Sequence, residues 1–400
     1  MTQATNDLLD RFRAYLDGSP TPNHAVHTTV ELLKAHGFQA IDLGQPPRRL
    51  PSGTRGYIAK AGSLVAFQVG RQAAVESGFR IIGAHTDSPN LRVKPQPYLR
   101  GQGYVRLGVE VYGGAINATW ADRDLGMAGI VSLRDGEGLR TELVDFRKPL
   151  ARIPNLAIHL NREVNTKGLV LNAQKDLPAV VSLDDDDEDP LRTLIAGELG
   201  VTPRDVLTWD LSLYDLTPAA IVGAKGEFLC SARLDNLASC HAGLEALLAS
   251  SGKVPSATSV LAMFDHEEIG SRTARGANSR MLSEVLRIIL RNAGPQGEGS
   301  FSRALAHSWL VSADMAHAVH PAHADMHDPA HMPKLNAGPV IKQNANRRYG
   351  TEADTAAMFM LLCERAEVPV QWFVNRSDLA CGSTVGPILA SILGVRTVDV

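Results

Sequence analysis

Two adjacent glutamates, Glu267 and Glu268, follow directly on the apolar run at 259–264. That run reads as a buried strand, and burying an ionised carboxylate costs several kcal/mol unless a positive charge compensates. A strand exit of this kind needs a cation, with one carboxylate free to bind it and the other to move protons. The pattern recurs where 80–84 runs into His85-Thr86-Asp87 and where 309–313 runs into Asp314. His85 is a candidate ligand and Asp87 its orienter, because a metal-bound imidazole commonly donates its other N–H to an oxygen acceptor that fixes the tautomer. Asp235 stands at the head of a helix-like stretch at 237–248.

His, Asp and Glu donors suit a hard or borderline divalent ion, with zinc first by ligand type and Mn2+ or Co2+ as alternatives. Cysteine is absent from these clusters, which favours an open catalytic site over a closed structural one. With several carboxylates at hand, one aspartate, here Asp235, can bridge two metals about 3.5 to 4 Å apart, an arrangement suited to hydrolysis. Taken singly, Asp235 is also a plain helix N-cap, His85 a hydrogen-bonded loop residue and the glutamate pair a solvated turn. Their joint occurrence where strands are predicted to end favours the metal reading, since open α/β sheets bind ligands at that edge.

The segments Gly83 to Pro89, Ala232 to Asn236, Asp265 to Ser271 and Ser312 to Pro321 resemble the successive signatures of the aspartyl aminopeptidases, the M18 family of zinc metallopeptidases. The likeness continues through Val111 to Gly114, Arg152 to His159, Gly338 to Lys342 and Cys381 to Pro387, and so covers nearly the whole chain. It implies a hydrolase in which His85 and Asp314 hold one zinc, Glu268 holds the other and Asp235 bridges them. Glu267 would be the general base, Lys342 would face an acidic substrate side chain and Tyr349 would help hold the oxyanion. His159 matches a histidine that a partner subunit contributes to the neighbouring active site. The resemblance also implies a homo-oligomer, dimers assembling to a dodecamer, that takes peptides with N-terminal Asp or Glu.

Some of these residues have ordinary readings beside the functional one. Lys342, in a Gly-Pro-flanked segment, also reads as a surface lysine, and His159 as an edge-of-core histidine. Gly382 and Ser383 open a helix-like segment whose amides could face an anion, or Ser383 or Thr384 is a plain N-cap. His317, His320, His323, His327 and His331 read mostly as loop residues, and Asp378 serves substrate or loop structure. In the family the second zinc takes its last ligand from a histidine a short distance past the final strand, a position beyond Val400. The expectation is therefore weak occupancy of that site and an incomplete chain. Two further functions stay open: a non-catalytic or half-metallated assembly subunit, and a metal deacylase of N-acyl amino acids.

The elements that must position these groups alternate as in an α/β fold. Helical periodicity spans 7–16, 27–36, 237–248, 282–291 and 354–366, and strand-like runs span 259–264, 310–313 and 370–374. From 96 to 217 the character is β-rich, with a strand at 104–112 and an acidic run at 184–189 that lacks the glycine turn of a calcium loop and reads as solvated. The expected architecture is a mixed-sheet α/β metallopeptidase domain, 1–95 and 218–400, interrupted by a β-rich dimerisation domain at 96–217. A chain of 400 residues with 44% hydrophobic residues supports two cores. Net charge −3 argues against nucleic-acid or anionic-membrane partners. Cys230, Cys240, Cys363 and Cys381 show neither metal spacing nor a disulfide framework. The start has no signal-peptide character and no run spans a membrane, so the expected compartment is the cytoplasm.

Overall fold

The computed structural model describes residues 3–45, 49–183, 187–293 and 297–400. Of the acidic run, Asp184, Asp185 and Asp186 lie outside the described residues, whereas Asp189 caps the helix Pro190–Leu199 by accepting from the Arg192 amide. The fold is mixed α/β, and the chain divides into two compact units, Met1–Ala25 with Ser88–Arg233, and Val26–Asp87 with Leu234–Val400.

The first unit is built on an antiparallel six-stranded sheet in the order Gly138–Asp145, Leu125–Asp135, Val206–Asp215, Asn90–Gly101, Tyr104–Tyr112, Ala179–Leu183. Register slips between Val93 and Tyr98, where Pro95 and Pro97 have no N–H to give the ladder. Its core gathers Leu91, Val131, Leu211 and Leu213 with Ile195 of the helix.

The second unit carries a seven-stranded sheet. Its strands are β1 (Gln39–Ala40), β2 (Arg55–Lys60), β3 (Ser63–Gln68), β4 (Phe79–His85), β5 (Thr258–Phe264), β6 (Trp309–Ser312) and β7 (Arg396–Asp399), in the spatial order β1-β2-β3-β5-β4-β6-β7. The last four are mutually parallel. They read as nearly continuous apolar runs because helices cover both faces. On one face, Met281–Ala293 presents Leu282, Val285, Leu286 and Ile289 at helical spacing, and with Leu389 of Val385–Leu393 they pack on Phe67, Ile81, Val260 and Phe264. On the other lies Leu234–Ser250, which approaches the sheet at Gly243. A Cβ there would stand 2.7 Å from Leu261. The predicted helices and strands of this unit are all present, with ends moved by a few residues. The helix expected from 237 begins at Leu234, although Asp235 and Asn236 have non-helical dihedrals and the bond between them is cis.

Candidate metal centre

Parallel strands leave their C-terminal ends on one edge, and in the second unit each of those ends delivers a polar side chain. His85 is the last residue of β4, Asp314 follows β6 by two residues, and Asp265 to Glu268 follow β5. The Nε2 of His85 lies 3.2 Å from Oδ1 of Asp235 and 3.7 Å from Oδ2 of Asp314. One donor atom from each of the three residues falls within 4.8 Å of the others, a set able to hold a metal ion. His85 is buried, Asp314 half-buried and Asp235 exposed, so the cluster opens on one side.

Backbone pairing fixes these positions. Thr86 donates to the Phe264 carbonyl at 2.8 Å and Ala313 to the Gly83 carbonyl at 2.8 Å, which lock the three strand exits together. Asn236, fully buried, donates through Nδ2 to the Ala313 carbonyl at 2.9 Å and so ties the Asp235 turn to the residue before Asp314. Asp87 holds three residues in place. Its carbonyl lies 2.9 Å from Nδ1 of His85, and its two carboxylate oxygens each accept a backbone N–H, from Glu267 and from Glu268, at 3.1 Å. The glutamate pair, on the short turn Glu267–Ile269, is thereby clasped to the strand that carries His85.

The electrostatics describe a site crowded with carboxylates. Burial, with Asp314, Asp87 and Asp235 nearby, raises Glu267 to about 7, and burial with Asp235, Asp87 and Glu267 raises Glu268 to about 7. Burial disfavours a charged His85 imidazole, but hydrogen bonding to Asp235, Asp314 and Asp87 overcomes it, so its pKa stands well above the usual value. For Asp314, burial is likewise overcome, by His85 and Lys342, and its pKa is lowered. Five carboxylates gathered around one imidazole are the donor set that a divalent cation relieves.

The remaining predicted residues are placed as follows in the fold. Lys342 is buried, and its ammonium donates to the carbonyls of Asp314 at 2.7 Å and Met315 at 3.3 Å. Tyr349 is buried beside it, with Lys342 Nζ 5.8 Å from its ring centre, and burial with the Cys381 contact raises its phenol pKa. Ser383 donates to the Arg348 carbonyl at 2.9 Å, next to Tyr349, and Gly382 faces open space. Thr384, not Ser383, caps the following helix. His159 belongs to the first unit, on an exposed turn. Asp378 is exposed and paired with Arg376 at 2.8 Å, a loop contact. His331 pairs with Asp328 at 2.7 Å, while His317 packs edge-on against Phe373 and His327.

A family model described as Aminopeptidase I zinc metalloprotease (M18) matches residues 15–400. The chain belongs to the M18 aminopeptidases. Two relatives, each described as probable M18 family aminopeptidase 2, are similar along their length. That of Stutzerimonas stutzeri is 52% identical over 96% of this chain and 89% of the relative, and that of Ectopseudomonas mendocina is 50% identical over 98% and 91%. Among solved structures, the Ape4 and Nbr1 complex contains a chain 36% identical with a TM-score of 0.94, covering 99% of this chain and 80% of that one. The dodecamer of mApe1 from S. cerevisiae is 26% identical with a TM-score of 0.86, over 99% and 90%.

Three residues of this M18 chain that sequence reading left out stand beside the metal centre. Asn236 carries only an amide and follows Asp235 in what looks like a helix start. Cys240 looks like helix core, and it is buried with its thiol 2.9 Å from the His85 carbonyl. Asp399 ends the short strand Arg396–Asp399, where an acid at a strand end was the available signal.

Proposed function

We propose that this M18 protein is an aminopeptidase that removes N-terminal Asp or Glu from peptides with two zinc ions per subunit. The observation that carries the reading is the His85, Asp235 and Asp314 triangle flanked by the clasped Glu267–Glu268 pair. His85 and Asp314 would hold one zinc, Glu268 the other and Asp235 would bridge them. When bound, zinc supplies Lewis-acid polarisation of the scissile carbonyl and acidification of water.

The chain's own residues supply the rest. Glu267, held on the clasped turn beside the proposed metal ligands, is placed to take a proton and return it to the leaving amine. Asp87 holds that carboxylate in position through the backbone of its turn. Tyr349, kept protonated by burial, can donate to developing negative charge on the carbonyl oxygen. Lys342, a buried cation with both described hydrogen bonds to carbonyls, can pair with a substrate carboxylate, and its burial supports selection of an acidic side chain.

The catalytic domain would be 1–95 with 218–400, and the insert at 96–217 would mediate dimerisation within a homo-oligomer that grows to a dodecamer. The mApe1 dodecamer supports this, as do Leu156, Ile158 and Leu160, all exposed on the turn with His159, since apolar side chains clustered on a surface mark contacts. Four free thiols support a reducing compartment such as the cytoplasm. Among the described residues no helix is long and apolar enough to cross a membrane.

The test is hydrolysis of a short peptide with N-terminal Asp, run beside its N-acetylated copy and a chelator-treated sample. Chelator-sensitive release of Asp from the free-amine peptide alone is expected. Cleavage of the acetylated peptide would instead identify a deacylase.

A further inference from the structure

Asp399, the last residue of β7, is a fully buried carboxylate that the proposed chemistry does not use. One of its oxygens accepts from the Gly350 amide at 2.5 Å, and the other accepts from the Thr384 hydroxyl at 2.6 Å. Its own amide donates to Thr351 Oγ1 at 2.9 Å. In the sheet it stands opposite Ser312, and the next residue, Val400, accepts from the Asp314 amide at 2.9 Å. The carboxylate also fills the space before the helix Val385–Leu393, where a Cβ on Gly386 would meet its oxygens at 2.3 and 2.4 Å.

Each segment held in this way adjoins a residue of the proposed site. Gly350 follows Tyr349, Thr384 follows Gly382 and Ser383, and the β6 exit carries Asp314. Neutral side chains could supply much of the local hydrogen bonding without the several kcal/mol of desolvation that an ionised carboxylate costs. A carboxylate presents two acceptor oxygens, one to the Gly350 N–H and one to the Thr384 O–H, whereas an amide presents one and turns an NH2 toward the other partner.

We propose that Asp399 is a positioning residue for hydrolysis, which clamps the Tyr349 loop and the Gly382–Ser383 turn against the strand end that presents Asp314. The proposal rests on Tyr349 acting at the substrate, as argued above. Asp399 does not itself touch substrate. It acts by holding the Tyr349 phenol, and the Cys381 thiol that lies 3.5 Å from that phenol, in one arrangement.

The experiment uses Asp399→Asn in the zinc-loaded protein, alone and combined with Tyr349→Phe. The kcat is expected to fall about tenfold to a hundredfold, the scale of a small misplacement of a catalytic group. KM and zinc content should stay near wild type. In the Tyr349→Phe background the same substitution should cost little more. In parallel, alkylation of each cysteine is followed by peptide mapping. Cys381 should react several-fold faster in the Asn variant while the buried Cys240 does not, a local loosening that general destabilisation would not produce.

Unchanged kcat with unchanged Cys381 reactivity overturns the proposal, as does an equal rise at Cys240 or a full, independent loss in the double variant. Should Asp399→Asn fail to fold, Thr384→Val and Thr384→Ser carry the same test. Loss of kcat and faster Cys381 labelling in Val, both restored in Ser, support the clamp, and identical behaviour of the two overturns it. If wild type turns over no acidic peptide, the proposed specificity fails. The labelling comparison still decides for or against the clamp.

Discussion

Replacing Asp87 tests the grip of this buried carboxylate on the glutamate turn. Its oxygens accept the Glu267 and Glu268 amides at 3.1 Å each, and one of them stands 3.5 Å from His85 Nδ1, whereas its backbone carbonyl, untouched by mutation, keeps the closer contact to that nitrogen at 2.9 Å. Asp87→Asn retains one acceptor and turns an amide donor toward the other N–H. One hydrogen bond to a charged acceptor, worth about 1.5–3 kcal/mol, is lost. Asp87→Ala strands both donors at about 1–3 kcal/mol each, a large share of the roughly 5–15 kcal/mol that holds a domain folded. The Glu267 turn then loses its clasp, and a shift on the order of 1 Å in the general base costs about 10²-fold in rate. The assay is kcat and urea midpoint at fixed zinc, with bound zinc counted in every sample. The expected order of kcat and of midpoint is wild type, then Asn, then Ala, with zinc retained in the Asn variant. An Asn variant with wild-type kcat and midpoint would refute the clasp. Activity that falls in step with zinc content would show that Asp87 acts through His85 instead.

Four further outcomes follow from the same geometry. Glu267→Gln should lower kcat by at least about 10²–10⁴-fold, the range for general-base catalysis, with zinc content unchanged, whereas Glu268→Gln should lose metal along with activity. Lys342→Met should cut kcat/KM for an N-terminal Asp peptide about tenfold to a hundredfold, the scale of a charged hydrogen bond, and cut that for a Leu peptide far less; equal losses would remove Lys342 from specificity. Zinc binding should release protons, measured by calorimetry in buffers of different ionisation enthalpy. In the metal-free protein Glu267 and Glu268 sit at about 7 and His85 is raised above its usual value, so the folded apo state holds protons that zinc must displace, and zinc affinity should climb as pH rises from about 5 to 7. Chelation should lower the melting temperature, because an ion that binds only the folded chain stabilises it.

The His85, Asp235, Glu267–Glu268 and Asp314 set is legible from the chain because apolar runs mark where strands end, and parallel strands deposit their ends on one edge. Tyr104–Tyr112 and the helices of the second unit follow from periodicity for the same local reason. Lys342 is different: flanked by Gly and Pro it reads as a surface lysine, and only the packed fold buries it against the Asp314 carbonyl. The two-sided grip of Asp87 on the glutamate turn joins residues about 180 positions apart, a pairing no local pattern encodes. Asp399 offers the clearest contrast, an acid at the end of a short strand whose partners, Gly350 and Thr384, come from separate segments.

What the sequence determined by itself is the list of groups able to do the chemistry and the elements that carry them, because strand and helix patterns are written in the alternation of nearby residues. What only the tertiary structure decided is which oxygen faces which donor. Distances such as 3.2 Å from His85 to Asp235, and the burial that lifts both glutamates to about 7, arise when strands distant in the chain pack together and exclude water, so they belong to the packed assembly and to no segment of it.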